Sequence, residues 1–260
     1  MHAAHRQLPF PVRLEWGLRG AQAVLPGARA AVVVDTLSFS TAVSVGVEAG
    51  LAVLPFRAAP GDGELHDAAA RLADRRGALL AGPRSLSRLS LSPTSIRVHA
   101  AAHPGRELVL PSPNGSAISD HLAGRVPELL AGTLRNASAT AEWLARHLPP
   151  SAVLVVIAAG ERWPGGALRP AVEDQLGAGA VLSALLRSAP GRTGEQLSPE
   201  ARAAVAVFEA FRKELPAELA ESASGRELVL RGFGSDVDLA AELDASHVAA
   251  HFSDGAFRPV

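Results

Sequence analysis

Three short polar segments, each directly after a strand-like apolar run, hold the side chains best suited to chemistry. Asp35 closes the run AAVVVD (30–35). A carboxylate at the end of a buried strand can bind a divalent cation, attack a phosphoryl group or orient water. Ser40 and Thr41 follow it, where hydroxyls at a helix start can bond a phosphate. The second segment, Ser112-Pro113-Asn114-Gly115-Ser116, follows RELVLP (106–111). There Gly115 permits close backbone approach to an anion and the Asn114 amide can bond it. The third runs from Glu161 to Asp174 after AVLVVIAAG (152–160) and ends in the acid pair Glu173-Asp174. With Asp35 these acids make sense as metal ligands, although adjacent helical residues diverge by roughly 100°, so at most one points straight into a given site. Each feature also has an ordinary explanation. Asp35, Ser40 and Thr41 suit a helix start, and Glu173-Asp174, like Asp236 and Asp238, suit a helix dipole. Convergence of the three segments on one cleft is what would make a site.

Composition narrows the classes. The chain has 260 residues, 25 Lys+Arg against 26 Asp+Glu and no cysteine. Balanced charge argues against a nucleic-acid binder. Absent cysteine removes disulfides, thiol nucleophiles and Cys-based zinc sites. Lys213 is the sole lysine and lies in an amphipathic stretch, so P-loop chemistry is excluded. No GxSxG elbow supports acyl transfer, no GxGxxG follows the first strand, and Leu37 stands where a haloacid-dehalogenase pattern needs a second acid. The nine histidines lack metal spacing, and Trp16, Trp143 and Trp163 read as packing residues. Apolar runs fall short of the roughly 20 residues a membrane helix needs, and MHAAHRQLPFPVRLEW does not read as a signal peptide. A soluble cytoplasmic protein with no membrane or nucleic-acid partner is expected.

The elements that must position these residues alternate between short β runs and amphipathic helices. The pattern predicts a three-layer α/β/α fold with a largely parallel or mixed sheet. Strands are expected at 30–35, 51–56, 78–82, 106–111, 152–160, 227–233 and near 247–252. Helices are expected after Asp35 to Gly50, at 63–76, from Ser116, at 137–148, 175–187, 198–214 and 236–243. The first strand, helix and second strand read as a right-handed βαβ unit, and 83–95 and 161–174 as loops. GRELVL occurs at 105–110 and again at 225–230, an echo that raises two similar halves. One unit over 1–260 is the main reading, with two lobes at about 1–148 and 149–260 as its variant.

Taken in order, the segments resemble the 2-phosphosulfolactate phosphatase family over roughly residues 30–260. DTLSFSTA from Asp35 resembles the family's Asp-Val-Leu-Arg-Ala-Ser-Thr-Thr-like run, SPNGS (112–116) its Thr-Thr-Asn-Gly-Thr loop, and Leu134-Arg135-Asn136-Ala137 its Leu-Asn-Ala stretch. AAGERW…VEDQLGAGA and GRELVLRGFGSDVDLAAELD resemble its later motifs. The resemblance implies Mg²⁺ and hydrolysis of a phosphate ester on a small sulfonated acid, 2-phospho-3-sulfolactate to 3-sulfolactate and phosphate. Asp35, Asn114, Glu173 and Asp174 then carry catalysis, with Asp35, Glu173 and Asp174 as metal ligands. Ser40, Thr41, Gly115, Ser116, Asn136 and Arg226 bind substrate, and Arg226 or Arg84 neutralises the second anionic group. The sequence departs from the pattern at Ser38, where the family has arginine, and at Pro83, Arg88 and Leu91, where acidic and amide side chains are lost. Arg88 would weaken a nearby cation or strengthen an anion. A catalytically altered homologue that binds an anionic metabolite or partner without hydrolysis is therefore the alternative. A homodimer is expected from the type of fold alone.

Overall fold

Every residue of the first apolar run is buried, and alternate side chains enter different cores. In the computed structural model, which describes residues 2–57, 63–84 and 86–260, Ala30, Val32 and Val34 pack into one core, and Ala31 and Val33 into another. AVLVVIAAG behaves alike: Leu154 and Val156 face the first core, Val155 and Ile157 the second. A strand apolar on both faces belongs inside a sheet covered on both sides.

The strands are β1 (Val12–Trp16), β2 (Ala28–Val34), β3 (Ala52–Arg57), β4 (Leu79–Leu80), β5 (Glu107–Ser112), β6 (Glu128–Gly132), β7 (Val153–Ala158), β8 (Glu161–Arg162), β9 (Leu168–Arg169), β10 (Ala250–Ser253) and β11 (Ala256–Pro259). The helices are α1 (Gly17–Val24), α2 (Phe39–Glu48), α3 (Gly63–Arg76), α4 (Pro93–Ala100), α5 (Gly115–Leu122), α6 (Ala137–His147), α7 (Val172–Ser188), α8 (Pro199–Phe211), α9 (Leu215–Glu221), α10 (Ala223–Leu230) and α11 (Gly234–Ala240). Among the described residues nine strands form one mixed sheet in the order β1-β7-β2-β6-β10-β11-β3-β5-β4. Helices α6, α7 and α8 supply one core, with Leu144, Val181 and Phe208. Helices α1, α2 and α5 supply the other, with Val24, Phe39 and Ile118. Beneath α3, Ala69 and Ala73 meet Leu54 and Val109 in a smaller cluster. The expected three-layer α/β/α arrangement is what these cores describe. No helix among the described residues is long and apolar enough to cross a membrane.

Three expectations need correction. The β2–α2–β3 segment is not a parallel βαβ unit. Strands β1, β7, β2 and β6 run parallel, as do β3, β5 and β4. The β10–β11 hairpin is wedged between these groups, and its three antiparallel pairings leave β3 opposed to β2 in sheet sense. The stretch expected as a strand at 227–233 is instead α10 and the turn after it. The repeated hexamer thus adopts two structures. At 105–110 it lies beside β3 and β4, and Leu108, Val109 and Leu110 are all buried. At 225–230 the Ser222 hydroxyl accepts the Gly225 N–H (3.0 Å) and starts a helix, with Leu228 buried but Val229 47% and Leu230 86% exposed. A segment with one apolar face and no strand to pair with takes the helical option. Finally, the loop read over 83–95 ends at Ser92, whose hydroxyl caps α4 by accepting the Ser95 N–H (3.2 Å), with Pro93 in the first turn. Ser85, within that loop, lies outside the described residues.

Candidate active site

Strand β2 delivers Asp35 to the sheet rim, where its carboxylate holds two chain segments together. Oδ1 accepts the Phe39 N–H at the start of α2 (3.1 Å), and Oδ2 accepts the Gly115 N–H at the start of α5 (2.8 Å). Gly115 is required for this approach, because a Cβ there would lie 2.8 Å from Asp35 Oδ2 and overlap the Phe39 ring. At the start of α7, Asp174 makes the matching clamp: Oδ1 accepts the Thr36 N–H (2.7 Å) and Oδ2 the Gly160 N–H (2.8 Å). Asn114 Nδ2 donates to Glu161 Oε2 (3.1 Å). The three strand-end loops therefore meet, joined by hydrogen bonds between residues far apart in the chain.

The convergence concentrates negative charge. Burial pushes the Asp35 carboxyl up to about 6, with repulsion from Glu173 adding to it and the Phe39 and Gly115 N–H groups and Arg84 opposing it. Burial likewise takes Glu161 up to about 7, aided by Asp35 and Glu173 and opposed by Asn114 and Arg169. Asp174 lies well above the ordinary carboxylate range, through burial first and then Asp35 and Glu173. Glu173 is buried, and its Oε2 meets no hydrogen-bond donor among the described residues.

Beside these acids lies a cavity of about 240 Å³. Asp35, Ser38, Arg84, Asn114 and Glu161 are among its lining residues. The short β8–β9 hairpin, which turns through Gly165 and Gly166 at φ +97° and +87°, adds Arg162 and Arg169. Helix α10 and the residue after it add Glu227 and Arg231. Four guanidinium groups thus border one small space. Arg84 Nη2 donates to Ser38 Oγ (2.6 Å) and lies 3.4 Å from Asp236 Oδ2. Arg169 Nη2 donates to Ser224 Oγ (2.9 Å). Guanidinium forks match phosphate, sulfonate and carboxylate oxygens, and here they share the lining with the acids Asp35, Glu161 and Glu227.

A family model for 2-phosphosulpholactate phosphatase matches residues 21–255. The chain belongs to the 2-phosphosulpholactate phosphatase family. Membership indicates a function of 2-phosphosulpholactate phosphatase type, a hydrolase's. Among curated proteins nothing matches.

Within this family member the residues singled out from sequence fall into two groups. Asp35 and Asn114 line the cavity, and Gly115, Glu173 and Asp174 stand behind it. Ser40, Thr41, Ser116 and Asn136 turn inward and are absent from its lining. Ser40 Oγ donates to Val33 O (3.0 Å), Thr41 Oγ1 to Thr36 O (2.7 Å) and Ser116 Oγ to Leu110 O (3.2 Å). Asn136 closes a capping box, accepting the Thr133 N–H (2.9 Å) and donating to Ala131 O (3.1 Å). Arg226 faces solvent and pairs with Glu221 (3.4 Å). Its displacement follows from the helix at 223–230: Ser224, Glu227, Leu228 and Arg231, spaced 3, 1 and 3, share the cavity face, and position 226 does not. Of the departures, Pro83 and Arg88 are exposed and do not line the cavity; Ser38 and Leu91 do.

The sequence assigns no site role to Glu161, Arg162, Arg169, Arg231 or Asp236. Asp236, read as a helix-dipole acid, is buried; its Oδ1 accepts from Ser92 Oγ (2.6 Å) and the Thr94 N–H (3.2 Å), while Oδ2 faces Arg84. The Glu-Arg pair after a buried strand was the available signal for Glu161 and Arg162. Trp163, read as packing, is exposed and lies 5.9 Å from the Arg169 guanidinium.

Proposed function

We propose that the protein is a Mg²⁺-dependent phosphatase acting on a small, highly anionic phosphate monoester of the 2-phosphosulfolactate kind. The observation that carries this reading is the gathering of four arginines with the buried Asp35 and the half-buried Glu161 around one cavity. Arg84, Arg162, Arg169 and Arg231 would bind the phosphoryl oxygens and the second anionic group. Asn114, tied to both Glu161 and Arg162 (3.1 and 3.3 Å), would orient them. Hydrolysis forms a bond from a water oxygen to phosphorus, breaks the ester P–O bond and leaves an alkoxide that needs a proton. With its pKa raised to about 7, Glu161 carries that proton in an appreciable fraction of molecules near neutrality.

The acids fit a divalent cation. Glu173 Oε2 is buried and undonated, and Asp35, Glu161 and Asp174 are each raised partly by their neighbours' charge, a repulsion that a cation relieves. Asp35, which lines the cavity, and Glu173 would hold it, whereas Asp174, which clamps Thr36 to Gly160 and is not in the lining, would fix the loops. Among the described residues no three His, Asp or Glu side chains form a ready-made cage. That suits Mg²⁺, which commonly takes one or two carboxylates and completes its shell with water and substrate phosphate. When bound, the ion supplies charge neutralisation at the phosphoryl group and acidification of water.

Release of inorganic phosphate from 2-phosphosulfolactate, with Mg²⁺ and then with chelator, tests the proposal. Turnover that stops on chelation is expected, and metal-independent anion binding without turnover would favour the altered-homologue reading. Arg169→Met is expected to raise KM about tenfold, the effect of losing one charged hydrogen bond. An unchanged KM would remove Arg169 from the site.

A further inference from the structure

We infer that the protein also accepts phosphate esters that carry an apolar group, held in a second compartment that adjoins the arginine-lined cavity. The inference rests on the phosphatase reading for the phosphoryl group and on the compartment's own walls for the rest. That compartment measures about 430 Å³, larger than the cavity of about 240 Å³ that would take the anionic groups. Its walls include Trp16, Leu18, Ile118 and Leu168. Concave apolar surface beside convergent polar groups is the usual setting for the organic part of a ligand.

Three residues, Asn114, Glu161 and Arg162, line both spaces. The divider between them is therefore made of side chains: Asn114 donates to Glu161, and Arg162 Nε donates to Asn114 Oδ1 (3.3 Å). A ligand with its phosphate among the arginines and its organic group across this divider would contact Glu161 from both sides. Leu168 is 42% exposed yet closely seated. A Cβ on Gly17 would lie 3.2 Å from Leu168 Cδ1 and one on Gly160 2.8 Å from it. Both glycines have positive φ, +61° and +65°, so the chain brings the hairpin's apolar side chain onto bare backbone and forms a wall there. A three-carbon sulfonate would leave that wall against water.

Binding of two phosphonates in the presence of Mg²⁺, measured calorimetrically, tests this without requiring turnover. Benzylphosphonate is expected to bind at least about tenfold more tightly than methylphosphonate, the effect of burying one ring. Leu168→Asp is expected to shrink that ratio at least about fivefold, because it puts charge on the apolar wall. Ala167→Trp, which adds bulk at another residue of the compartment's lining, is expected to do the same should the first variant fold poorly. Equal affinities for the two phosphonates, or a ratio that neither variant changes, overturn the compartment while leaving the phosphatase reading intact. Failure of both phosphonates and of inorganic phosphate to bind at all counts instead against the arginine cavity.

Discussion

Asp35→Asn is expected to lower kcat/KM for phosphate release by about 100-fold or more, with the fold retained. The carboxylate sits where β2, α2 and α5 meet, lines the arginine-bordered cavity and shares its surroundings with Glu173 and Arg84. Neutralising it removes the charge that would hold the cation, and electrostatic groups of this kind contribute roughly 3 kcal/mol or more to the transition state. The effect on stability is smaller because two changes oppose one another. An amide can accept only one of the two N–H bonds from Phe39 and Gly115 and turns its NH₂ toward the other, which costs about 1–3 kcal/mol. It also removes a buried negative charge that repels Glu173. A melting temperature close to the parent's with turnover lost is the expected pair of results. Turnover at the parental rate would reject Asp35 as a cation-holding group.

The second large effect is a metal-dependent reversal of the pH profile of stability. Asp35 and Glu161 are raised from 3.8 and 4.5 to about 6 and about 7, and Asp174 moves the same way. A carboxyl whose folded pKa exceeds its unfolded value binds its proton more tightly when folded, so metal-free stability falls as pH rises between those values. Glu107 and Glu209 are held low, chiefly by Arg76 and by the Ser183 hydroxyl. Their contribution is complete above the unfolded pKa and lost only in more acidic solution. His121, lowered by burial, gains stability through its ordinary range and offsets a part. The melting temperature without metal is therefore expected to drop by roughly 5–10 °C from pH 5 to pH 8, since about 1 kcal/mol moves a chain of this size by about 2–4 °C. Saturating Mg²⁺ should restore most of that loss at pH 8 and little at pH 5, because a ligand that needs ionised acids stabilises only where they are ionised. A profile that rises with pH, or Mg²⁺ stabilisation equal at both values, would contradict the buried-acid assignment.

Much of the frame was legible because the strands announce themselves. AAVVVD and AVLVVIAAG are buried on both faces, and the helix at Gly63–Arg76 matches its expected bounds. Gly50, at φ +82°, closes the helix begun after Asp35 as expected. What stayed hidden depends on partners distant in the chain. Strands β1 and β6 are short runs whose assignment comes from pairing with β7 and β2. The C-terminal hairpin reverses the sheet only because it pairs on both sides. GRELVL contains no information that distinguishes its two environments, so a strand was read where a helix stands. That error carried directly into the site, since a strand would not place Ser224, Glu227 and Arg231 together. For hydroxyls and amides, residue type and position do not separate a ligand role from a backbone one. Ser40, Thr41, Ser116 and Asn136 occupy strand-end positions suited to ligands, but each satisfies backbone groups that the sharp loops would otherwise leave unpaired. Arginine, abundant throughout the sequence, gave no contrast from which Arg84, Arg162, Arg169 and Arg231 could be picked out.

A crystal structure of the protein grown with Mg²⁺ and inorganic phosphate tests the central claim most directly. The anion is expected among Arg84, Arg162, Arg169 and Arg231, with a cation against Asp35 and Glu173. Phosphate bound on another face, or an arginine cavity holding only water at saturating phosphate, would contradict it.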